Sequence, residues 1–316
     1  MACEKLRVLI IGLGSIGQRH ACLLQGNFGH QLFALRSGKG DIIDLPGVTM
    51  LDSWEGVDAV SPQVALVTNP TGFHLSTAVR CAVRGMHLFI EKPIDCTDRG
   101  LDDLLKVVRD KHLVAYVAYP LRFHPLILLL RKLLEGRKVL HAQVVCSSYL
   151  PDWRPGRDSH TLYSAKRVEG GGVLLDLSHE LDYAEYLFGS LNLLKGRMGR
   201  VSDVTIDAED YADLVCEYER AAVNIHLNYF SRQAKRDIGI DLKNGHIQAD
   251  LLSGNIRQVI DGKVEEYMVS FGRDDMFLEQ LRHFFGAING APLINDLASA
   301  ARLFRKLLAF REEILV

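Results

Sequence analysis

The 316-residue chain contains no apolar run approaching the ~20 residues that a bilayer span requires. It also lacks a charged leader or a cleavable apolar segment ahead of its first predicted strand, so a cytoplasmic protein that does not enter a membrane is expected. An excess of charge is missing as well. With a formal net charge of −2, the sequence offers no electrostatic footprint for a nucleic-acid backbone, and the expected partner is a small molecule. Six cysteines (3, 22, 81, 96, 146 and 216) include no C-x-x-C pair and no histidine spacing of the zinc type. Reduced, mostly buried thiols and no metal are the expectation. There is neither an internal repeat nor a low-complexity tract.

What the chain does have is 48% hydrophobic residues, enough for two full cores, and about twice the usual length of one domain. Two domains sharing a cleft follow as the default. Up to residue 120, short apolar runs at Leu6–Ile11, Gln31–Leu35, Val64–Thr68, Leu88–Ile90 and Leu113–Tyr119 alternate with helical stretches such as Leu75–Arg84 and Arg99–Arg109. That alternation predicts a parallel, doubly wound α/β sheet over 1–120. From 121 to 316 the pattern changes. A helix at Leu126–Glu135, a strand at Val139–Tyr149 and a loop of about twenty residues up to Gly170 are followed by a helix over Val173–Phe188. Successive strands then run from Leu193 to Met268, with Lys243-Asn244-Gly245 and Asp261-Gly262 as hairpin signals, before two closing helices at Asp275–Ile288 and Leu297–Ile314. The second domain reads as α+β with an open, mostly antiparallel sheet.

The first strand runs directly into Gly12-Leu13-Gly14-Ser15-Ile16-Gly17 and then into an amphipathic segment, which is the arrangement a dinucleotide site needs. The first glycine makes the turn, the second lets backbone approach a pyrophosphate, and the third lets helix and strand pack closely. The N–H groups at the helix start then hold the phosphates. About twenty residues on, where a carboxylate would accept from an NAD ribose, the chain has Arg36 and Ser37. A guanidinium and a hydroxyl suit a 2′-phosphate, so NADP is favoured over NAD. Alternatively, Arg36 is solvated, or stacks on the adenine of either cofactor.

Three further motifs stand in order along the chain: Thr68-Asn69-Pro70-Thr71 with His74, then Glu91-Lys92-Pro93, then Gly170-Gly171-Gly172 leading to Asp176, His179 and Asp182. Together with the glycine turn they make the sequence resemble the Gfo/Idh/MocA oxidoreductases, the glucose–fructose oxidoreductase and inositol dehydrogenase family, over essentially its whole length. The resemblance implies an N-terminal dinucleotide fold, a C-terminal domain whose open sheet often mediates homo-oligomers (a dimer or tetramer), and oxidation or reduction of a sugar-like alcohol or ketone. It also implies that Asn69 and His74 help seat the nicotinamide ribose.

Lys92 ends a strand at the carboxyl edge of the predicted sheet, where ligands of such folds bind, and suits a proton relay or a hydrogen bond to the reacting oxygen. Pro93 is a candidate cis proline that fixes it. On a helix over 173–188, Leu174, Leu177, Leu181, Ala184 and Phe188 form one stripe, with Asp176, His179, Tyr183 and Tyr186 opposite. His179 is the natural acid/base, since imidazole titrates near neutral pH, and Asp176 is placed to orient it or to bind a neighbouring hydroxyl. His124, His160 and His226 are competing histidines. Family members commonly separate this Asp and His by four residues, whereas here the separation is three, so His179 is the firmer assignment.

For the substrate, Arg122, Trp153 and Arg154 offer guanidinium forks and an indole face, which suit an anionic sugar or a nucleotide-sugar. The same arginines could instead pair with Asp152, Asp158 or Glu169. Two functional alternatives stay open beside a sugar, cyclitol or nucleotide-sugar dehydrogenase: a dinucleotide-sensing regulator without catalysis, and a reductase of the imine or dihydrodiol type.

Overall fold

The computed structural model describes residues 5–36, 45–154, 156 and 162–315. Ser37, Asp158, His160 and Cys3, all of which enter the sequence reading, lie outside the described residues. By proximity of Cα atoms the chain forms two compact units, Met1–Tyr119 with Phe277–Arg302, and Pro120–Met276 with Leu303–Val316.

The first unit is built on six parallel strands: β1 (Arg7–Ile11), β2 (Gln31–Leu35), β3 (Val48–Leu51), β4 (Val64–Val67), β5 (His87–Glu91) and β6 (Ala115–Ala118). Their order is β3-β2-β1-β4-β5-β6, all neighbours parallel. The helices are α1 (Ser15–Asn27), α2 (Trp54–Val60), α3 (His74–Ala82) and α4 (Leu101–Asp110). A parallel sheet is covered on both faces, so its strands read as unbroken apolar runs rather than as alternation. Val64, Ala65, Leu66 and Val67 show this, each with no exposed surface.

Where the sequence reading assigns everything after 120 to a second domain, residues 277–302 group with the first unit. The reason is an aromatic seam: Phe284 packs edge-on against Phe89 at 5.5 Å, and the buried Asn295 donates from Nδ2 to the Val117 carbonyl at 2.7 Å. A carbonyl at the sheet edge is thereby satisfied by a segment nearly two hundred residues away in sequence.

The second unit carries an eight-stranded sheet of β7 (Val139–Tyr149), β8 (Leu191–Gly199), β9 (Tyr211–Tyr218), β10 (Ala221–Asn228), β11 (Phe230–Leu242), β12 (Gly245–Asp250), β13 (Asn255–Ile260) and β14 (Lys263–Met268). The order is β14-β13-β12-β11-β7-β10-β9-β8, antiparallel except for the β7–β10 pair. Strand β9 alternates buried Ala212, Leu214, Cys216 and Tyr218 with exposed Asp213, Val215 and Glu217. One face of the sheet thus lies in the core and the other carries polar residues. At the β13–β14 hairpin, Asp261 and Gly262 both have positive φ (49° and 78°), the requirement of a two-residue turn that follows the strand twist.

The helices completing the fold are α5 (Pro125–Leu133), α6 (Val173–Asp176), α7 (His179–Phe188), α8 (Arg273–Ile288) and α9 (Leu297–Leu315). The single helix expected over 173–188 is broken at Leu177–Ser178. Ser178 donates from its hydroxyl to the Leu175 carbonyl at 2.7 Å, an alternative to continuing the helical ladder. The leucine stripe survives the break, since Leu174, Leu177, Leu181, Ala184 and Phe188 are all buried. Cys81, Cys146 and Cys216 are buried, and burial pushes each thiol up to about 12, which leaves them inert at neutral pH.

His124 caps α5: its Nδ1 accepts from the Leu126 N–H at 3.1 Å, so that nitrogen must be unprotonated. Burial first, and the nearby Arg236 charge second, lower its pKa from 6.5 to about 4. An unfolded chain takes up this proton at higher pH than the native one does. Stability contributed by His124 is therefore complete above pH 6.5 and lost as the pH falls toward 4, on the order of 2 kcal/mol at the low end. His124→Asn keeps a capping side chain without the titration, and in melting curves across this range the variant should lose less stability than the wild type.

Candidate active site

At the end of β1 the chain turns at Gly12, whose φ of +95° is left-handed, and a Cβ there would lie 2.6 Å from the Asn69 Cα. At Gly17 a Cβ would fall 2.0 Å from the Gly12 carbonyl oxygen. Gly14 differs from both: a Cβ there meets nothing within 4 Å. Its missing side chain leaves open space beside the backbone rather than room for packing. Gly14 also caps α1 without a side-chain hydrogen bond, and the first turn has no acidic residue. N–H groups at a helix start have no intrahelical acceptor and favour an anion. This cradle fits a dinucleotide pyrophosphate. It lies where the strand order reverses about β1, with β2 on one side and β4 on the other, the place such folds use for ligands.

The segment after β4 closes over the turn. Thr68 donates from Oγ1 to the Gly12 carbonyl at 2.7 Å, and Asn69 donates from Nδ2 to Thr77 Oγ1 at 2.9 Å. Asn69 Oδ1 is buried without a hydrogen-bond partner. A buried acceptor left open is unusual enough to point to a missing donor, and a ribose hydroxyl suits it. Pro70 is exposed and opens the short 3₁₀ turn Thr71–Phe73. The His74 ring is 2% exposed and sits between two carbonyls, Nε2 at 2.7 Å from Asn69 O and Nδ1 at 2.9 Å from Pro93 O. It braces the β4 and β5 loops against each other. Asp95 assists, accepting from the Leu75 and Cys96 N–H groups at 3.0 and 2.7 Å.

Lys92 stands at the end of β5, half-buried, joined to Pro93 by a cis peptide bond. Its neighbour Glu91 is 8% exposed and lies 2.8 Å from Nε2 of the fully buried His20. Sequence reasoning missed His20. Its signal was a histidine on the buried stripe of α1, alongside Gly17, Ala21 and Leu24. Leu13 is buried, and its carbonyl accepts from Gln18 Nε2 at 2.9 Å. Arg36, half-buried, follows β2, and its N–H donates to the Leu51 carbonyl at 3.3 Å.

In the second unit, two of the three glycines before α6 answer to packing. A Cβ on Gly171 would lie 2.3 Å from the Tyr163 carbonyl oxygen, and one on Gly172 2.3 Å from the Glu209 carboxylate. Arg311 locks the segment, donating from Nη2 to the Gly171 carbonyl at 2.7 Å and pairing with Glu209 at 3.1 Å. Asp176, 3% exposed, accepts from the hydroxyls of Tyr163, Ser164 and Tyr229 at 2.5, 2.6 and 2.9 Å. Its two oxygens are thus occupied by three donors from its own unit. Trp153, 37% exposed, packs edge-on to Tyr229 at 5.3 Å and donates from Nε1 to Ser148 Oγ at 3.0 Å. The structure thereby gathers Trp153, Tyr163 and Asp176 around Tyr229.

Arg122 belongs to a different group. Its guanidinium forks onto Asp182 through Nε and Nη2, each 2.8 Å from a carboxylate oxygen, and the pair is buried. Burial holds the Asp182 carboxyl above its ordinary pKa, against the pull of Arg122. Asp182, rather than the Asp152, Asp158 or Glu169 considered from sequence, is therefore the partner. A second ion pair joins Arg236 to the buried Glu180 at 2.8 Å. Both pairs tie α7 down just after His179, which is half-buried and begins that helix. Arg154 is exposed. Of the competing histidines, His124 is the α5 cap and His226 pairs with Asp213 on the neighbouring strand at 2.5 Å. Among the described residues, no cluster of three or more His, Cys, Asp or Glu is arranged for a metal, and no helix is long and apolar enough to cross a membrane.

Comparison with known proteins agrees with the fold. Residues 6–119 match the family model described as an oxidoreductase family with an NAD-binding Rossmann fold, and residues 128–248 match the GFO/IDH/MocA C-terminal domain. The chain is 28% identical to levoglucosan dehydrogenase of Pseudarthrobacter phenanthrenivorans over 43% of its own length, and 26% identical to inositol 2-dehydrogenase of Rhizobium meliloti over 58%. These matches span only 35% and 55% of the two relatives. A solved structure of levoglucosan dehydrogenase in complex with NADH superposes with a TM-score of 0.84 at 17% identity, covering 99% of this chain and 97% of that one. With residues 6–119 and 128–248 matched by models of one family and the architecture in agreement, the chain belongs to the GFO/IDH/MocA oxidoreductases.

Proposed function

We propose that the protein is an NAD(P)-dependent oxidoreductase that interconverts an alcohol and a ketone on a sugar, a cyclitol or a nucleotide-sugar. The observation that carries this reading is the Gly14 cradle at the β1–β4 switch point, with Lys92 ending β5 on the same carboxyl edge of the sheet. The names of the relatives, a sugar and a cyclitol dehydrogenase, support the substrate class. When bound, a nicotinamide dinucleotide supplies hydride exchange at its ring carbon.

This chain's residues then bind, orient and handle the proton. Leu13 to Gly17 hold the pyrophosphate through backbone N–H groups, Asn69 receives a ribose hydroxyl at its open Oδ1, and Thr68, Pro70 and His74 keep that loop in place. Lys92, set by Glu91 and the cis Pro93, hydrogen-bonds the reacting oxygen. His179 takes the hydroxyl proton in oxidation and returns it in reduction. Asp176, held by three hydroxyls, shapes the wall that includes Trp153, whose exposed indole face stacks on a sugar ring. Arg122 reaches substrate only at the expense of its fork on Asp182, and Arg154, whose side chain is exposed, is proposed to meet an anionic group.

Arg36 at the end of β2 supports NADP over NAD. Titrating both dinucleotides tests this, and a clearly tighter NAD complex would overturn it. For the reaction, sugars, cyclitols and nucleotide-sugars are offered with each dinucleotide while reduced nicotinamide is followed by absorbance. Turnover with a member of this panel is expected; tight dinucleotide binding with no redox change on any compound would leave a sensor instead. A cytoplasmic homo-oligomer, a dimer or tetramer formed through the polar face of the eight-stranded sheet, belongs to the same proposal and is tested by light scattering.

Gly14→Ala separates cofactor binding from folding. Gly14 has an ordinary extended backbone (φ −65°, ψ −175°) and open space at its Cβ, so the substitution leaves stability unchanged. The added methyl occupies the cradle itself. Dinucleotide affinity should drop about 10- to 100-fold, read by fluorescence titration, with the melting temperature as control.

A further inference from the structure

The second unit contains a basic pocket that the proposed reaction does not use. The turn between α5 and β7 brings Arg137 and Lys138 to a cavity of about 330 Å3, and the β9–β10 turn brings Arg220 to it. Leu134, Val139 and Leu187 supply its apolar wall. One carboxylate, Glu219, shares the lining, so three cations against one anion leave a charge of +2.

Outside the lining, the Glu265 carboxylate on β14 also feels the charge of Arg137, so the cations exceed the carboxylates by three to two. Arg220 is committed to the backbone, its Nη2 donating to the Leu187 carbonyl at 2.7 Å, close to the end of α7. Nη1 of Arg137 is buried and has no hydrogen-bond acceptor. Among the described residues no ion pair joins Arg137 or Lys138 to Glu219, although all three line the same space. A buried guanidinium donor without an acceptor is costly, and an acceptor-rich anion is the group that satisfies it. The volume falls at the lower end of small-ligand cavities, too small for a dinucleotide and adequate for a phosphorylated or carboxylated metabolite.

We propose that this pocket binds the oxyanion of a small metabolite, a phosphate or carboxylate held by Arg137 with Lys138 and Arg220, its short carbon skeleton lying on Leu134, Val139 and Leu187. Arginine is the fitting residue, because its planar fork matches two oxygens of such a group at once. The site lies at the Leu187 end of α7, and His179 begins the same helix. Eight residues at the helical rise separate them by about 12 Å. The ligand is therefore distinct from the substrate of the proposed reaction.

Methyl NMR on the full chain with labelled leucine and valine localises binding and separates it from any phosphate held by the glycine turn. Inorganic phosphate should produce saturable shifts at Leu134, Val139 and Leu187, and phenyl phosphate should bind about threefold more tightly through the apolar wall. Benzoate in place of phenyl phosphate tells whether carboxylates are accepted as well as phosphates, and binding of at least one of the two is required. Arg137→Gln should weaken binding about tenfold with the melting temperature retained. Should that variant fail to fold, Lys138→Glu, at an exposed side chain, reverses the field and should abolish saturation. Shifts that are absent or fail to saturate in the wild type would overturn the proposal, as would unchanged affinity in the charge variants. Neither result depends on nicotinamide turnover, so the two proposals fail separately.

Discussion

Lys92→Met is expected to lower kcat by about 10²- to 10⁴-fold while leaving dinucleotide affinity within about threefold of the wild type. The side chain is half-buried at the end of β5, and methionine keeps its length and apolar stem while removing the ammonium. The loss should therefore appear in turnover rather than in binding or folding. His179→Ala should lower turnover to a similar degree, and the double variant should cost little more than either change alone, because two groups acting on one proton are not additive. If both single variants retained wild-type turnover, the proposed proton handling would be wrong. His20→Phe adds a finer test of how Lys92 is set. His20 is fully buried with Nε2 against Glu91, so its loss frees the carboxylate beside Lys92, and the pH profile of turnover should move even where the fold holds.

The parts legible in the sequence are those whose physics is local. Parallel strands covered on both faces announce themselves as short apolar runs, so β1, β2 and β4 could be located to within a residue, and the glycines after β1 marked the turn. Hairpins signalled by Asn-Gly and Asp-Gly were equally plain. The rest depended on partners distant in the chain. An amphipathic helix over 275–288 says that a face is buried without saying against what, and here Phe284 returns to Phe89. The break at Leu177–Ser178 was hidden because the leucine stripe continues in phase on both sides of it. For Asp176, helical periodicity placed the residue on a polar face, whereas three hydroxyls from the loop and from β11's neighbour Tyr229 enclose it. The glycine triplet was visible, but its reason was not: the carbonyls of the Tyr163 turn and the Glu209 carboxylate crowd the positions where side chains would stand.

Arg122 shows most clearly how a charged residue can be misread, and its replacement should have the largest effect on stability. From sequence it is a fork for an anionic substrate; in the fold it holds Asp182 by two bonds of 2.8 Å, sixty residues away, with both side chains buried. Removing one member of such a pair leaves an uncompensated charge in the interior, which typically costs about 3–5 kcal/mol. Arg122→Ala should therefore lower the melting temperature by roughly 6–20 °C, at about 2–4 °C for each kcal/mol in a domain of this size. The cause can be isolated. If stranded charge is the reason, Arg122→Met combined with Asp182→Leu, which removes both charges and keeps apolar volume, should recover much of the loss. Lys in place of Arg122 should recover less, because an ammonium cannot reproduce the two-bond fork. Calorimetry of the three variants decides the matter: Arg122→Ala as stable as the wild type would mean that the pair carries no weight in the fold, and would return Arg122 to the list of groups able to meet a substrate.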